Sequence, residues 1–398
     1  MAAVSWIAPA GNDGTKILHV VPSFFPATNF GGPVVSVFEL CNHLAKNAGV
    51  TLQVLTTDTA GYRSGERLSV PERDPHRYQG YAVHFSAKVL GTAIAPQIWK
   101  EIWPAVSWAD VVHLTGMYSF PTLPALLAAR VLNRPLVWSP RGALKEWIGT
   151  KNKSMKATWR KMCRAILAAE KTVLHVTSSE EESETRLRMP GIRCVRIPNG
   201  VEIPELSGAR QWMPNGELRL LSVGRLDPIK GLENLVVALR HLRAPRFSLK
   251  IFGTGDPRYQ ASLEALAAEY AVRDKISFLG PASGEVKRGA FLSSDICVVP
   301  SFSENFGMVI AEALAHGTPV VVSTGTPWQI VQTANIGRWV SNDPVTLANA
   351  IDSLRGEDLA SMGKRATEVM KSEFAWPAVA ARMLAAYKAL QGDTRKHT

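Results

Sequence analysis

Two carboxylates and two cations stand out by type and spacing. Glu304 and Glu312 are eight positions apart in Ser301-Phe302-Ser303-Glu304-Asn305-Phe306-Gly307-Met308-Val309-Ile310-Ala311-Glu312. Arg225 and Lys230 are five apart in Gly224-Arg225-Leu226-Asp227-Pro228-Ile229-Lys230-Gly231. Each motif follows a short apolar run, Ile296 to Pro300 and Leu218 to Val223, and precedes a helical pattern, Met308 to His316 and Leu232 to Leu242. Strand, loop and helix in that order place the loop at a strand's carboxyl end, where open parallel sheets bind ligands. The helix start adds free N–H groups and a partial positive charge. Two cations beside a helix N-terminus suit a diphosphate. Two carboxylates with the backbone amides of Asn305, Phe306, Gly307 and Met308 suit the hydroxyls of a sugar.

Other segments must position these groups. Ile17 to Val21 is apolar enough for a buried strand. The loop after it ends in Gly31-Gly32-Pro33, and a helix to about Asn47 carries Val34, Val37, Phe38, Cys41, Leu44 and Ala45 on one stripe. Paired glycines let a backbone approach a ligand closely. Further strands are expected at Thr51–Thr56, Ala82–Phe85, Asp110–Leu114, Leu136–Ser139, Val173–Thr177, Leu249–Phe252, Ile276–Leu279 and Pro319–Val322. Asp58 to Gln79 reads as an exposed polar excursion. Ser178-Ser179-Glu180 reads as a capped helix start with solvated acids in its first turn.

Glu304 and Glu312 (Glu-x7-Glu), with Arg225 and Lys230, resemble the signature of family-four retaining glycosyltransferases of the GT-B type. The resemblance runs from about residue 16 to 390. It implies an α/β fold of two Rossmann-like domains facing a cleft, with the helix Pro377–Leu390 crossing back to the first domain. The implied boundaries are 1–200 for an acceptor-binding domain, 201–217 for a linker, 218–375 for a nucleotide-sugar-binding domain, and 376–398 for the crossover helix and a disordered tail. By the same resemblance Arg225 and Lys230 hold the donor pyrophosphate. Glu304 and the backbone of Asn305 to Met308 orient the sugar, and Glu312 binds the ribose. Gly31 and Gly32 face the donor phosphate and the acceptor, and Gly253 and Gly255 line the nucleotide pocket. A leaving-phosphate oxygen takes the acceptor's proton, so no side-chain base is named.

One position departs from the family pattern. A strand that usually ends His-x-His-Gly reads here His113-Leu114-Thr115-Gly116. Either the Thr115 hydroxyl or nearby Tyr118 fills the second histidine's place, and His113 reads as structural. Pro140-Arg141-Gly142 resembles a loop of envelope-polysaccharide members. Arg141 either meets an anionic group there or pairs with a neighbouring carboxylate. That resemblance implies lipopolysaccharide, O-antigen or exopolysaccharide synthesis on a lipid-linked saccharide acceptor. Trp328 either stacks on a sugar or belongs to the interior or a lid. Pro198-Asn199-Gly200-Val201 resembles the family's interdomain turn.

The chain has 398 residues, 46% of them apolar, enough for two cores, and a net charge of +11. The charge points to an acidic partner or to a solvated basic surface. Lys151, Lys153, Lys156, Arg160, Lys161, Arg164 and Lys171 interleave with Met155, Trp159, Met162, Cys163, Ile166 and Leu167. This basic amphipathic helix, 151–171, either lies on anionic lipid or packs its stripe on the domain. Nothing matches a nucleic-acid module. Four dispersed cysteines without metal or redox spacing read as reduced core residues, which favours a cytoplasmic location, peripheral at the membrane's inner face if the acceptor is a lipid. No signal peptide or membrane-spanning run is read from the sequence. No Asp-x-Asp occurs, so neither a metal nor another cofactor is expected. The rival readings are a nucleotide-sugar 2-epimerase, a non-catalytic sugar-nucleotide-binding protein, and a dinucleotide oxidoreductase, whose G-x-G-x-x-G is missing after the first strand.

Overall fold

The computed structural model describes residues 14–395 apart from 62–64, 71–75, 79, 92, 146–151 and 206–209, with 393–395 described in backbone only. The chain divides into two compact units, Met1–Gly200 with Trp376–Thr398, and Val201–Ala375.

Unit 1 alternates strand and helix: β1 (Thr15–Val20), α1 (Gly32–Ala45), β2 (Val50–Thr57), β3 (His76–Tyr78), β4 (Tyr81–Ser86), α2 (Ile98–Trp108), β5 (Val111–Thr115), α3 (Thr122–Val131), β6 (Leu136–Ser139), α4 (Lys153–Ile166), β7 (Thr172–Val176), α5 (Ser179–Arg188) and β8 (Arg193–Arg196). Its strands form one sheet in the order β3-β4-β2-β1-β5-β6-β7-β8, parallel throughout except β3 against β4. The order reverses between β1 and β5. β5 and β6 are buried along their whole length, as expected of a parallel sheet covered on both faces.

Unit 2 repeats the pattern: β9 (Leu218–Val223), α6 (Leu232–Arg240), β10 (Phe247–Phe252), α7 (Pro257–Glu269), β11 (Ile276–Phe278), α8 (Gly284–Leu292), β12 (Ile296–Val299), α9 (Met308–Ala315), β13 (Val320–Ser323), α10 (Ile330–Thr333), β14 (Gly337–Val340), α11 (Pro344–Arg355) and α12 (Leu359–Val369). All its strands are parallel in the order β11-β10-β9-β12-β13-β14, reversing between β9 and β12. α13 (Trp376–Arg395) belongs to unit 1. Its Trp376, Val379, Ala380, Met383, Tyr387 and Leu390 pack with Val37, Leu40, Cys41 and Leu44 of α1 in one core.

Several expectations change. β3, β8 and β14 were not read from the sequence. The 58–79 stretch is not simply exposed, because Asp58 is buried and accepts from Arg67 Nε at 2.7 Å and the Lys88 amide at 2.8 Å. Gln79 and the segments 62–64 and 71–75 lie outside the described residues. α13 continues through Arg395, so the expected disordered tail is helical from Gly392 to that point. Its last residues, 396–398, lie outside the described residues, as do Lys151 of the basic helix and 206–209 of the linker.

Candidate active site

The reversal between β9 and β12 brings the two sequence motifs together within unit 2. The loop after β9 carries Arg225 and Lys230, and the loop after β12 carries Ser301 to Gly307. The Phe302 amide donates to the Ile229 carbonyl at 2.8 Å, tying one loop to the other. Gly231, at φ 61°, starts α6 where a Cβ would run into the Pro300 carbonyl, so no larger residue fits there without movement. Lys230 Nζ pairs with Glu304 Oε1, which also accepts from Ser301 Oγ at 2.9 Å. The lysine and glutamate side chains are 21% and 13% exposed, so the pair is shielded yet reachable. Arg225 is 63% exposed and lies 3.6 Å from the Asp227 carboxylate. A small pocket lined by Gly224, Arg225, Lys230, Pro300 and Ser301 opens here. The large cavity lined by Arg210, Trp212, Lys364 and Lys371 shares no residue with these loops.

α9 begins after Gly307, at φ 82°, with no side-chain cap, which leaves its first amides for a ligand. The Phe306 side chain is core, packed edge-on to Trp328 at 5.3 Å, so Phe306 offers the site its backbone alone. Trp328 is buried and its Nε1 donates to the Phe306 carbonyl, which places it in the interior. Glu312, one turn into α9, pairs with Lys287 of α8 at 2.6 Å. Nothing in the sequence flags Lys287 or Ser301 for these roles.

Gly253 and Gly255 have a structural reason of their own. A Cβ at Gly253 would meet the Gly224 carbonyl, and one at Gly255 the Leu226 carbonyl. The Gly224 amide donates to Phe252 and the Leu226 amide to Thr254, each at 2.9 Å. The two glycines thus let the loop after β10 lie against the loop that bears Arg225.

In unit 1 the reversal between β1 and β5 gathers a second set. Thr115 is buried, and its Oγ1 lies 2.8 Å from His19 Nε2. His19 stacks on His113 with ring centroids 4.2 Å apart. The tautomers of the neighbouring chain follow from its end. His175 Nε2 donates to the Ile197 carbonyl at 2.9 Å, so its Nδ1 accepts from Ser139 Oγ at 2.6 Å. Ser139 then accepts from His113 Nε2–H, and His113 Nδ1 accepts from the Tyr387 hydroxyl, each at 2.6 Å. Burial, reinforced by the Arg141 charge, drives His19 and His175 down to about 3, so both are neutral at pH 7. Burial, with the neighbouring His19 and His175 and then Arg141, holds His113 well below its ordinary value too. His113 is structural, as its sequence context suggests. Tyr118 accepts from Arg160 at 3.0 Å and lies under Lys156 Nζ, which is 5.3 Å from the ring centroid.

Gly31, at φ 75°, precedes α1, and Gly32 is its first residue, so the pair stands at a helix N-terminus without a side-chain cap. The acids at the start of α5 are not all solvated. Glu181 is buried, its Oε2 accepting from the Thr177 amide and hydroxyl at 2.7 Å and its Oε1 from the Gly142 amide at 2.5 Å. α4 ends at Ile166, so Leu167 lies beyond it. Trp159, Cys163 and Ile166 face the core, while Met155 and Met162 stay exposed on the basic side.

Comparison with known proteins decides the family. The sequence profile described as Glycosyltransferase Family 4 matches residues 30–204, and the one described as Glycosyl transferases group 1 matches residues 210–369. A D-inositol 3-phosphate glycosyltransferase of Stackebrandtia nassauensis is 31% identical over 425 residues, covering 96% of this chain and 93% of that one. The chain belongs to glycosyltransferase family four. Solved structures agree on the GT-B fold of this family-four enzyme. Sucrose-phosphate synthase from Thermosynechococcus elongatus superposes with a TM-score of 0.73 at 22% identity, over 94% of this chain and 99% of that one. Anabaena HepE in complex with UDP and glucose superposes with 0.67 at 16% identity, over 94% and 100%. In this family-four glycosyltransferase, Lys230 and Glu304 meet at the strand reversal of unit 2, and Thr115 and Arg141 stand at strand ends of unit 1.

Proposed function

We propose that the enzyme transfers a sugar, with retention at the anomeric carbon, from a nucleotide-diphosphate sugar to a saccharide acceptor. The Lys230–Glu304 pair beside the uncapped start of α9 carries this reading. Lys230 and Arg225 hold the diphosphate, and the negative charge that develops on the leaving group is stabilised by those cations and the α9 amides. Glu304 and the backbone of residues 305–308 orient the sugar, and Glu312 binds the ribose. The loop of Gly31 and Gly32 faces the phosphates and the acceptor, and Gly253 and Gly255 lie along the nucleotide pocket. The acceptor's proton passes to a leaving-phosphate oxygen on the same face. Thr115 and Tyr118 stand on the acceptor side, and no metal or other cofactor takes part.

The acceptor in this reading is a lipid-linked saccharide of envelope-polysaccharide synthesis, lipopolysaccharide included, met at the inner face of the cytoplasmic membrane. The exposed face of α4, with Lys153, Lys161, Arg164, Met155 and Met162, supports contact with anionic lipid. No helix among the described residues is long and apolar enough to cross a membrane. The test is thermal stabilisation by UDP, GDP, ADP and dTDP, each with and without magnesium. Selective stabilisation by one diphosphate without magnesium is expected. No stabilisation by any of them would refute the donor site. Incubating the donor without acceptor and finding no epimer separates transfer from 2-epimerisation, and product formation with acceptor separates it from a non-catalytic binder.

A further inference from the structure

Arg141 carries a charge that its surroundings do not pair. It stands immediately beyond β6, at φ 55°, with Gly142 at φ 76° after it. Its Nη1 donates to Asn199 Oδ1, and its Nε is buried with no acceptor among the described residues. Among the described residues, no carboxylate lies within ion-pair distance of it. Glu181 is near enough to raise the guanidinium's affinity for its proton, but burial outweighs it and lowers that affinity overall. The Glu181 carboxylate is already taken by three neutral donors, Gly142 N, Thr177 N and Thr177 Oγ1. A carboxylate and a guanidinium lie in the same part of unit 1, each bound to neutral groups, while among the described residues only one of the five guanidinium N–H donors finds an acceptor. The histidines around it, His19, His113 and His175, are neutral and their ring nitrogens are committed elsewhere.

A half-buried guanidinium left in this state loses hydration without gaining a counter-charge. An arginine fork matches the oxygen geometry of a phosphate. Its position at the end of β6, one strand from the β1/β5 reversal, is where an open α/β sheet takes its ligand. We propose that Arg141 is the anion-binding residue of unit 1 and holds a phosphate or pyrophosphate group of the acceptor. Asn199 steadies the guanidinium from one side, and Glu181 acts as a positioning residue by fastening the Gly142 amide and so the turn that aims Arg141. That the anion belongs to the acceptor rests on the transfer reading above; the anion site itself does not.

The test uses the full chain with the donor site first titrated to saturation with whichever of UDP, GDP, ADP and dTDP stabilises it most, a step that reads the donor site separately. Inorganic phosphate and geranyl pyrophosphate are then titrated in, with apparent affinity read from the rise in Tm. Both are expected to bind wild type, and about tenfold more weakly to Arg141→Gln. Stronger binding of geranyl pyrophosphate points to a lipid-linked acceptor, and equal binding to a soluble phosphorylated one. Equal affinity in wild type and variant, or no binding of either probe to wild type, overturns the proposal. Circular dichroism checks the variant's fold. A measurement on wild type stands beside it: in arginine-labelled protein, the Nε–H signal that disappears in Arg141→Lys is expected to shift on adding phosphate. A signal that stays in place overturns the proposal as well.

Discussion

Lys230 and Glu304 form one ion pair, and the proposed function gives them opposite duties toward the donor, so their replacements are predicted to diverge. In Lys230→Ala the diphosphate loses a charge-assisted contact, worth about 1.5–3 kcal/mol. That corresponds to binding of the nucleoside diphosphate weaker by roughly tenfold to hundredfold. In Glu304→Gln the shape is kept and the carboxylate that competes for the lysine ammonium is gone. Affinity for the nucleoside diphosphate that stabilises wild type should then stay the same or tighten, while sugar transfer collapses because the group proposed to orient the sugar is lost. Each change also leaves one partner of a shielded pair alone, at about 1–3 kcal/mol of stability, between the exposed and the fully buried cases. Calorimetric titration with the nucleoside diphosphate that stabilises wild type, paired with a transfer assay and a Tm for each variant, separates these effects. If Glu304→Gln weakens that diphosphate as much as Lys230→Ala does, the pair is a structural clamp and the division of roles is wrong.

Gly255→Ala is expected to push the loop of Arg225 away through the Leu226 carbonyl and weaken binding of the same nucleoside diphosphate with β9 and β10 intact, measured by titration beside circular dichroism. Glu181→Gln presents an amide donor to a ring of donors and is expected to cost about 1–3 kcal/mol, seen as a drop in Tm of at least about 2 °C. The pH dependence has a definite sign. His19 and His175 bind a proton near pH 6.5 when unfolded and only at about 3 when folded, so their stabilising contribution is complete above pH 6.5 and is lost as pH falls. Each is expected to remove roughly 1.4 kcal/mol per pH unit between those limits, and His175→Asn should flatten the fall of Tm between pH 6.5 and 4.5.

The strands that could not be read from the sequence share a physical reason. β3, β8 and β14 are edge strands, each with a single neighbour. Arg193-Cys194-Val195-Arg196 and His76-Arg77-Tyr78 carry charge where an interior strand carries valine, which protects an edge and hides the strand from an apolar-run criterion. The interior strands, such as Ile296 to Val299, are buried on both faces and announce themselves. At the site, Glu304 and Lys230 were legible as residues because each follows a strand and precedes a helix. Their direct pairing, across 74 positions, follows only from the β9/β12 adjacency. Lys287 sits among the polar residues of α8 with no local cue. Glu181 was misread because a helix-start acid is ordinarily solvated, and only the arrival of the Gly142 loop, 39 positions upstream, buries it.

Unit 1 is built from both ends of the chain, with all of unit 2 between them. Its core lacks Trp376, Val379, Ala380, Met383, Tyr387 and Leu390 until the last helix exists. On the ribosome, Val201–Ala375 emerges as one uninterrupted piece and can complete itself while the earlier half waits. The usual N-terminal-first order of synthesis is therefore reversed in completion. A nascent chain stopped near Ala375 would carry a finished second unit beside an unfinished first one, with α1 exposing the apolar stripe meant for α13. Chaperone dependence should peak during that interval and fall away once the final helix is made.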